Sequence, residues 1–211
     1  MKQLSITDIV NKVRTKYDEI ALNESGMYDG TDNSDFDTIV KSCISDAYRF
    51  VINSADLSML EGKNLPESES KISIDSNLVA HVKLPDDFLR GLTFRLSSWQ
   101  SSASDIITED TPEYRMQSDP YACGTYQHPI AAIVHTSSGR ELELYKARET
   151  NETLKSFVYM PTWDESSGNV SIPDQVSDAF IYYVAGLTAT TFREDVANDF
   201  FKVAKSLLGL E

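Results

Sequence analysis

Two adjacent carboxylates, Asp86 and Asp87, follow Leu84-Pro85. Paired acids suit general acid/base chemistry. Neighbouring residues on a helical turn do not face each other, however, so the pair cannot converge on one reacting atom. Pro85 has its φ set near the helical value and lacks an N–H, which fits the first turn of a helix. Acids placed just after it meet unsatisfied N–H groups that favour negative charge. The stretch therefore reads as a strand-to-helix turn with capping acids. Ile172-Pro173-Asp174-Gln175 repeats the device.

The other chemically capable residues form weaker patterns. Asp29, Asp32, Asn33, Asp35 and Asp37 make an acidic loop. A helix–loop–helix calcium site needs Gly at the sixth position and Glu at the twelfth. Counting from Asp29 these are Ser34 and Val40, and counting from Asn33 they are Thr38 and Ile44. The loop reads as solvated, with a helix cap at Ser34 or Asp35. His81 and His135 fall in strand-like runs and His128 precedes Pro129, with no Cys or Glu at ligand spacing. Cys43 lies in an apolar helical stripe, and with Cys123 it forms neither a disulfide framework nor a zinc pattern. Gly-rich phosphate loops and nucleophile elbows are missing. No cofactor, metal or catalytic set is expected. Tyr28, Tyr114, Tyr121 and Tyr126 lie in loops, where they either anchor an interface or pack beneath their own loops.

The elements around these residues follow from periodicity. Ile6, Ile9, Val10, Val13, Tyr17 and Ile20 make one apolar stripe and predict a helix over 7–23. Phe36, Ile39, Val40, Cys43, Ile44, Ala47, Phe50, Val51 and Ala55 predict a second over 35–60. From residue 72 the period changes from 3.6 to 2. Strands are expected at 72–74, 78–84, 92–99, 130–135, 141–146 and 154–160, with a hairpin at 136–140. Residues 100–129 read as irregular, with a helical turn at 112–117. Helices return at 173–192 and 194–208. The economical architecture is α+β: a four-helix bundle formed by 1–71 and 173–211, with a β-rich, sandwich-like insertion at 72–172.

The 211 residues carry 33 acidic and 19 basic side chains, a net charge of −14. Gripping nucleic acid needs clustered Lys and Arg, which this balance lacks. An acidic surface repels DNA but lets it slide past. Solubility alone is an equally good reason for such a charge. The start of the chain turns polar too early for a signal peptide, and no run approaches membrane-spanning length. A cytosol-like compartment is expected.

A helix pair, then a β insertion with its Leu-Pro-Asp-Asp-Phe-Leu-Arg turn at 84–90, then a Tyr- and Ala-rich helix pair resembles the head-to-tail connector proteins of tailed bacteriophages. The nearest group is the adaptor, or tail tubular protein A-like, rings of podoviruses, including those of crAss-like phages. Residues 82–99, 173–187 and 200–207 carry the resemblance. It implies a dodecameric homo-oligomeric ring in the virion neck, assembled in the host bacterial cytoplasm. Such a ring docks beneath the portal protein and joins it to the next ring or tail component. Double-stranded DNA would pass through without specific binding, and no membrane and no catalysis are involved. Part of the −14 would line the inner wall. Interface contacts are expected at Tyr114, Tyr121 and Tyr126, at Leu207, Leu208 and Leu210, and at the 136–140 hairpin tip. The alternative is a non-enzymatic β-domain binding module, an adhesin or a carbohydrate-binding fragment. For a small hydrolase or metal-dependent enzyme no constellation can be named.

Overall fold

The computed structural model describes residues 1–21, 33–66, 71–104, 106–119, 121–137, 139–192 and 194–210. Along the chain run β1 (Lys2–Ser5), α1 (Ile6–Ala21), α2 (Asn33–Ser54), β2 (Lys63–Asn64), β3 (Ile72–Ile74), β4 (Val79–Lys83) and β5 (Phe88–Leu96). Then come β6 (Ile106–Thr108), α3 (Pro112–Met116), β7 (Ile130–Thr136), β8 (Gly139–Tyr145), β9 (Leu154–Pro161), β10 (Asn169–Ile172), α4 (Ser177–Phe192) and α5 (Glu194–Leu207). The chain is mixed α+β. It divides into two compact units, Met1–Glu61 with Thr162–Glu211, and Gly62–Pro161.

The expected boundaries at 71/72 and 172/173 both move towards the N-terminus. β2 lies in what reads as a polar connector, but it pairs with β9 and so joins the second unit. β10 pairs antiparallel with β1, Leu4 opposite Val170, and so belongs with the helices. A four-residue strand at the start of the chain is invisible to a helical-period reading.

In the first unit α4 packs against α1, α2 and α5. Ala179, Phe180, Ile181, Val184, Ala185, Gly186, Thr188 and Ala189 are buried, which covers most of its circumference. A helix with so little polar face is stable only when neighbours surround it. Its small residues let them approach. A Cβ on Gly186 would stand 2.6 Å from the Phe201 ring. Tyr17 meets Phe36 and Phe200 at centroid distances of 5.5 and 5.2 Å, and Tyr183 stacks on Phe50 at 4.0 Å. Buried Thr188 satisfies its hydroxyl on the Val184 carbonyl, 2.9 Å away. α2 buries Tyr48 and Ile52 beside its expected stripe, while Cys43 and Phe50 are only half-buried. The helix stops at Ser54, short of residue 60, and a 3₁₀ turn at Leu57–Met59 follows, capped by Asp56. α2 is described from Asn33, with Asp35 in its first turn; the side chain of Ser34, the other expected cap, lies outside what is described. Residues 29–32 of the acidic loop, and Tyr28, lie outside the described residues.

The second unit has two sheets. Five strands run in the order β3-β4-β8-β7-β6 and three in the order β2-β9-β5. All pairings are antiparallel except β6 with β7. One core takes Ala80, Val82, Ala131, Leu142 and Leu144 from the larger sheet and Phe88, Phe94, Leu96, Phe157 and Tyr159 from the smaller. Trp99 joins it and donates its indole N–H to the Lys146 carbonyl at 2.9 Å. β7 and β8 form the expected hairpin. β6 and the crossover from it to β7 occupy part of the stretch that reads as irregular. Three residues are too few to show a period, and a parallel partner is not adjacent in sequence.

The Pro85-Asp86-Asp87 turn is not helical. The Phe88 N–H bonds the Pro85 carbonyl at 3.0 Å, and the chain passes at once into β5, four residues earlier than expected. The resemblance to 172–175 is thus local only. There Pro173 opens a 3₁₀ turn, Asp174–Val176, that runs into α4.

Burial pushes the Tyr48 phenol up to about 12 from 10.0. The folded chain therefore holds this proton more tightly than the unfolded chain does. The stability it contributes is whole below pH 10.0 and lost as pH climbs through about 12. Tyr48→Phe is expected to flatten that alkaline loss by up to about 3 kcal/mol, read from denaturant unfolding below and within the window. In the second unit, a Cβ on Gly62 would meet the Tyr159 carbonyl oxygen at 2.6 Å and Leu92 Cδ1 at 2.8 Å. Gly62→Ala should cost about 1–3 kcal/mol in the same assay.

Candidate functional site

β4 and β8 place their outer faces in register, with His81 opposite Glu143 and Val79 opposite Tyr145. Strand alternation sends Ala80 and Val82 inward and Val79, His81 and Lys83 outward. α3 and the loop after it, in the β6–β7 crossover, stand over this outer face. Thr111 caps α3 through its hydroxyl, and Pro112 occupies the first turn. Between crossover and sheet lies an open cleft of about 690 Å³, lined among others by Asp75, His81, Tyr114, Arg115, Glu143 and Tyr145.

Glu143 is the cleft's organising group. Its Oε2 accepts the Tyr145 hydroxyl at 2.5 Å and the Tyr114 hydroxyl at 3.2 Å. Burial pushes both phenols up, and the adjoining carboxylate pushes them further by favouring the protonated, uncharged form. Val79, Ala132 and Tyr145 form a small apolar cluster beneath, joined by Ile107, Tyr114 and Ile130. Asp75 is held below the usual carboxylate range. Burial raises it, but the backbone N–H groups of Val79 and Asn77 outweigh that, helped by His81.

The His81 ring stands near three carboxylates: Asp75 at 3.9 Å from Nε2, and Glu141 and Glu143 at 4.0 and 3.8 Å from Nδ1. This does not make a metal site. Asp75 lies off one ring nitrogen and the two glutamates off the other, so the acids cannot share one ion with a single nitrogen lone pair. Among the described residues no group of three or more His, Cys, Asp or Glu could hold a metal. The arrangement can receive polar groups along the cleft and lay a flat ligand against tyrosine rings. It supplies no activated nucleophile.

A second cleft, of about 590 Å³, contains Asp86 and Asp87. Asp87 accepts from Lys63 Nζ at 2.6 Å and from the Tyr159 hydroxyl at 2.9 Å, while Asp86 is exposed. The carboxylates do not cap a helix as the sequence suggests. Asp87 instead ties β2, the β4–β5 turn and β9 together. Burial lowers Lys63, but its bonds to Asp87 and Tyr159 carry it above its ordinary value.

The residues expected at an interface are scattered. Tyr114 is half-buried in the first cleft. Tyr126 packs on the core between the sheets, with the Arg148 guanidinium 4.8 Å above its ring. Tyr121 is 98% exposed. Leu207 is 42% exposed, Leu210 is half-buried, and Leu208 is 4% exposed and already covered by its own chain. Thr136, Ser137, Gly139 and Arg140 of the hairpin are exposed. His135 pairs with Glu109 at 3.3 Å. Neither cysteine is in a disulfide, and burial pushes the Cys43 thiol up. Glu143, Tyr145 and Asp75 are not singled out by sequence. The alternation of Glu141, Glu143 and Tyr145 is visible there, but only the β4–β8 pairing brings them to His81.

Glu143→Gln removes the charge that both phenols face. Absorbance titration of the tyrosines should show Tyr145 and Tyr114 ionising at lower pH in the variant. An unchanged titration would mean that the carboxylate does not hold them. No family model matches the sequence and no curated protein matches it, so the reading of function rests on this chain's own architecture and surface.

Proposed function

We propose that the chain is a structural subunit of a ring at the head–tail junction of a tailed-bacteriophage particle, below the portal protein. In this reading the helices from both chain ends form a four-helix bundle, and the second unit is its sandwich-like insertion. Copies close into a dodecameric neck ring that joins the portal to the next ring or tail component. The observation that carries the proposal is the order of elements: one unit is composed of both ends of the chain, while the intervening stretch folds as a separate β-rich unit. A subunit of that kind offers separate faces to the neighbours above, below and beside it. The charge of −14 supports a channel through which DNA moves without adhering. Among the described residues no helix is long and apolar enough to cross a membrane. The role is non-enzymatic.

The cleft around Glu143 favours a second reading, a β-domain binding module of the adhesin or carbohydrate-binding kind. Polar side chains beside tyrosine rings on an open sheet face suit a polar ligand with a flat apolar side.

Electron microscopy of the protein mixed with the portal of the same particle separates the two. The neck reading predicts closed rings seated under the portal, and no retention of duplex DNA by the free protein at about 0.15 M salt. A chain that stays off the portal, yet binds a saccharide through a cleft that Tyr114→Ala disables, favours the binding module.

A further inference from the structure

We draw no further inference here: the strongest candidate, the open cleft around Glu143 between β4, β8 and the β6–β7 crossover, belongs to the site already described, and its lining sets Arg115 and Lys146 beside Asp75 and Glu143, which favours no class of ligand beyond the polar one already proposed.

Discussion

A helix apolar around most of its circumference cannot sit at a surface, and the chain is arranged around that constraint. α4 buries Phe180, Ile181 and Val184 as well as the small residues between and beyond them. Water must be kept from nearly every side, so α1 and α2 from the start of the chain and α5 from its end all pack on it. Burying a large apolar side chain is worth about 1.5–3 kcal/mol each, far more than helix propensity supplies. The β1–β10 pairing adds a backbone link of the same kind between early and late segments. Once both ends are committed to one unit, the stretch between them must leave and return, and it folds around a core of its own.

That second core lies between two sheets and is rich in rings. Phe88, Phe94, Phe157 and Tyr159 meet edge-to-face or stacked at 4.7 to 6.3 Å. The inner faces of β4, β7 and β8 are small and aliphatic by comparison. With the inner face spent on packing, the outer face of the larger sheet is free to carry polar groups, and the β6–β7 crossover stands over it. The cleft around Glu143 results from that division of labour. Its carboxylate is satisfied by two tyrosine hydroxyls, which positions the rings and leaves the cleft with polar edges and no poised nucleophile.

Surface charge and exposed apolar groups bear on assembly. A net charge of −14 sets up repulsion towards other acidic surfaces, which local contacts have to overcome. Apolar side chains left in water amid such charge are consequently informative where they cluster. Among the residues expected at an interface, Tyr121 and Leu207 are exposed. Tyr114, Tyr126 and Leu208 have equal apolar character but are partly or wholly occupied within the chain.

Much was legible from residue order alone, because periodicity reports which face of an element meets the core. The four long helices, the β-rich middle, the alternation through His81 and the 136–140 hairpin all follow from local spacing. What the sequence could not determine were features set by partners distant along the chain. β1, β2 and β6 are too short for a period, and each exists because another strand supplies its hydrogen bonds. Asp87 reads as a helix cap until Lys63 and Tyr159 are seen beside it. His81, Glu143 and Tyr145 are unremarkable apart and become a site only through the β4–β8 register. Local spacing determined the elements, since it reports one face at a time. Tertiary structure decided the site and the division into units, since both depend on which distant residues are brought within hydrogen-bonding reach.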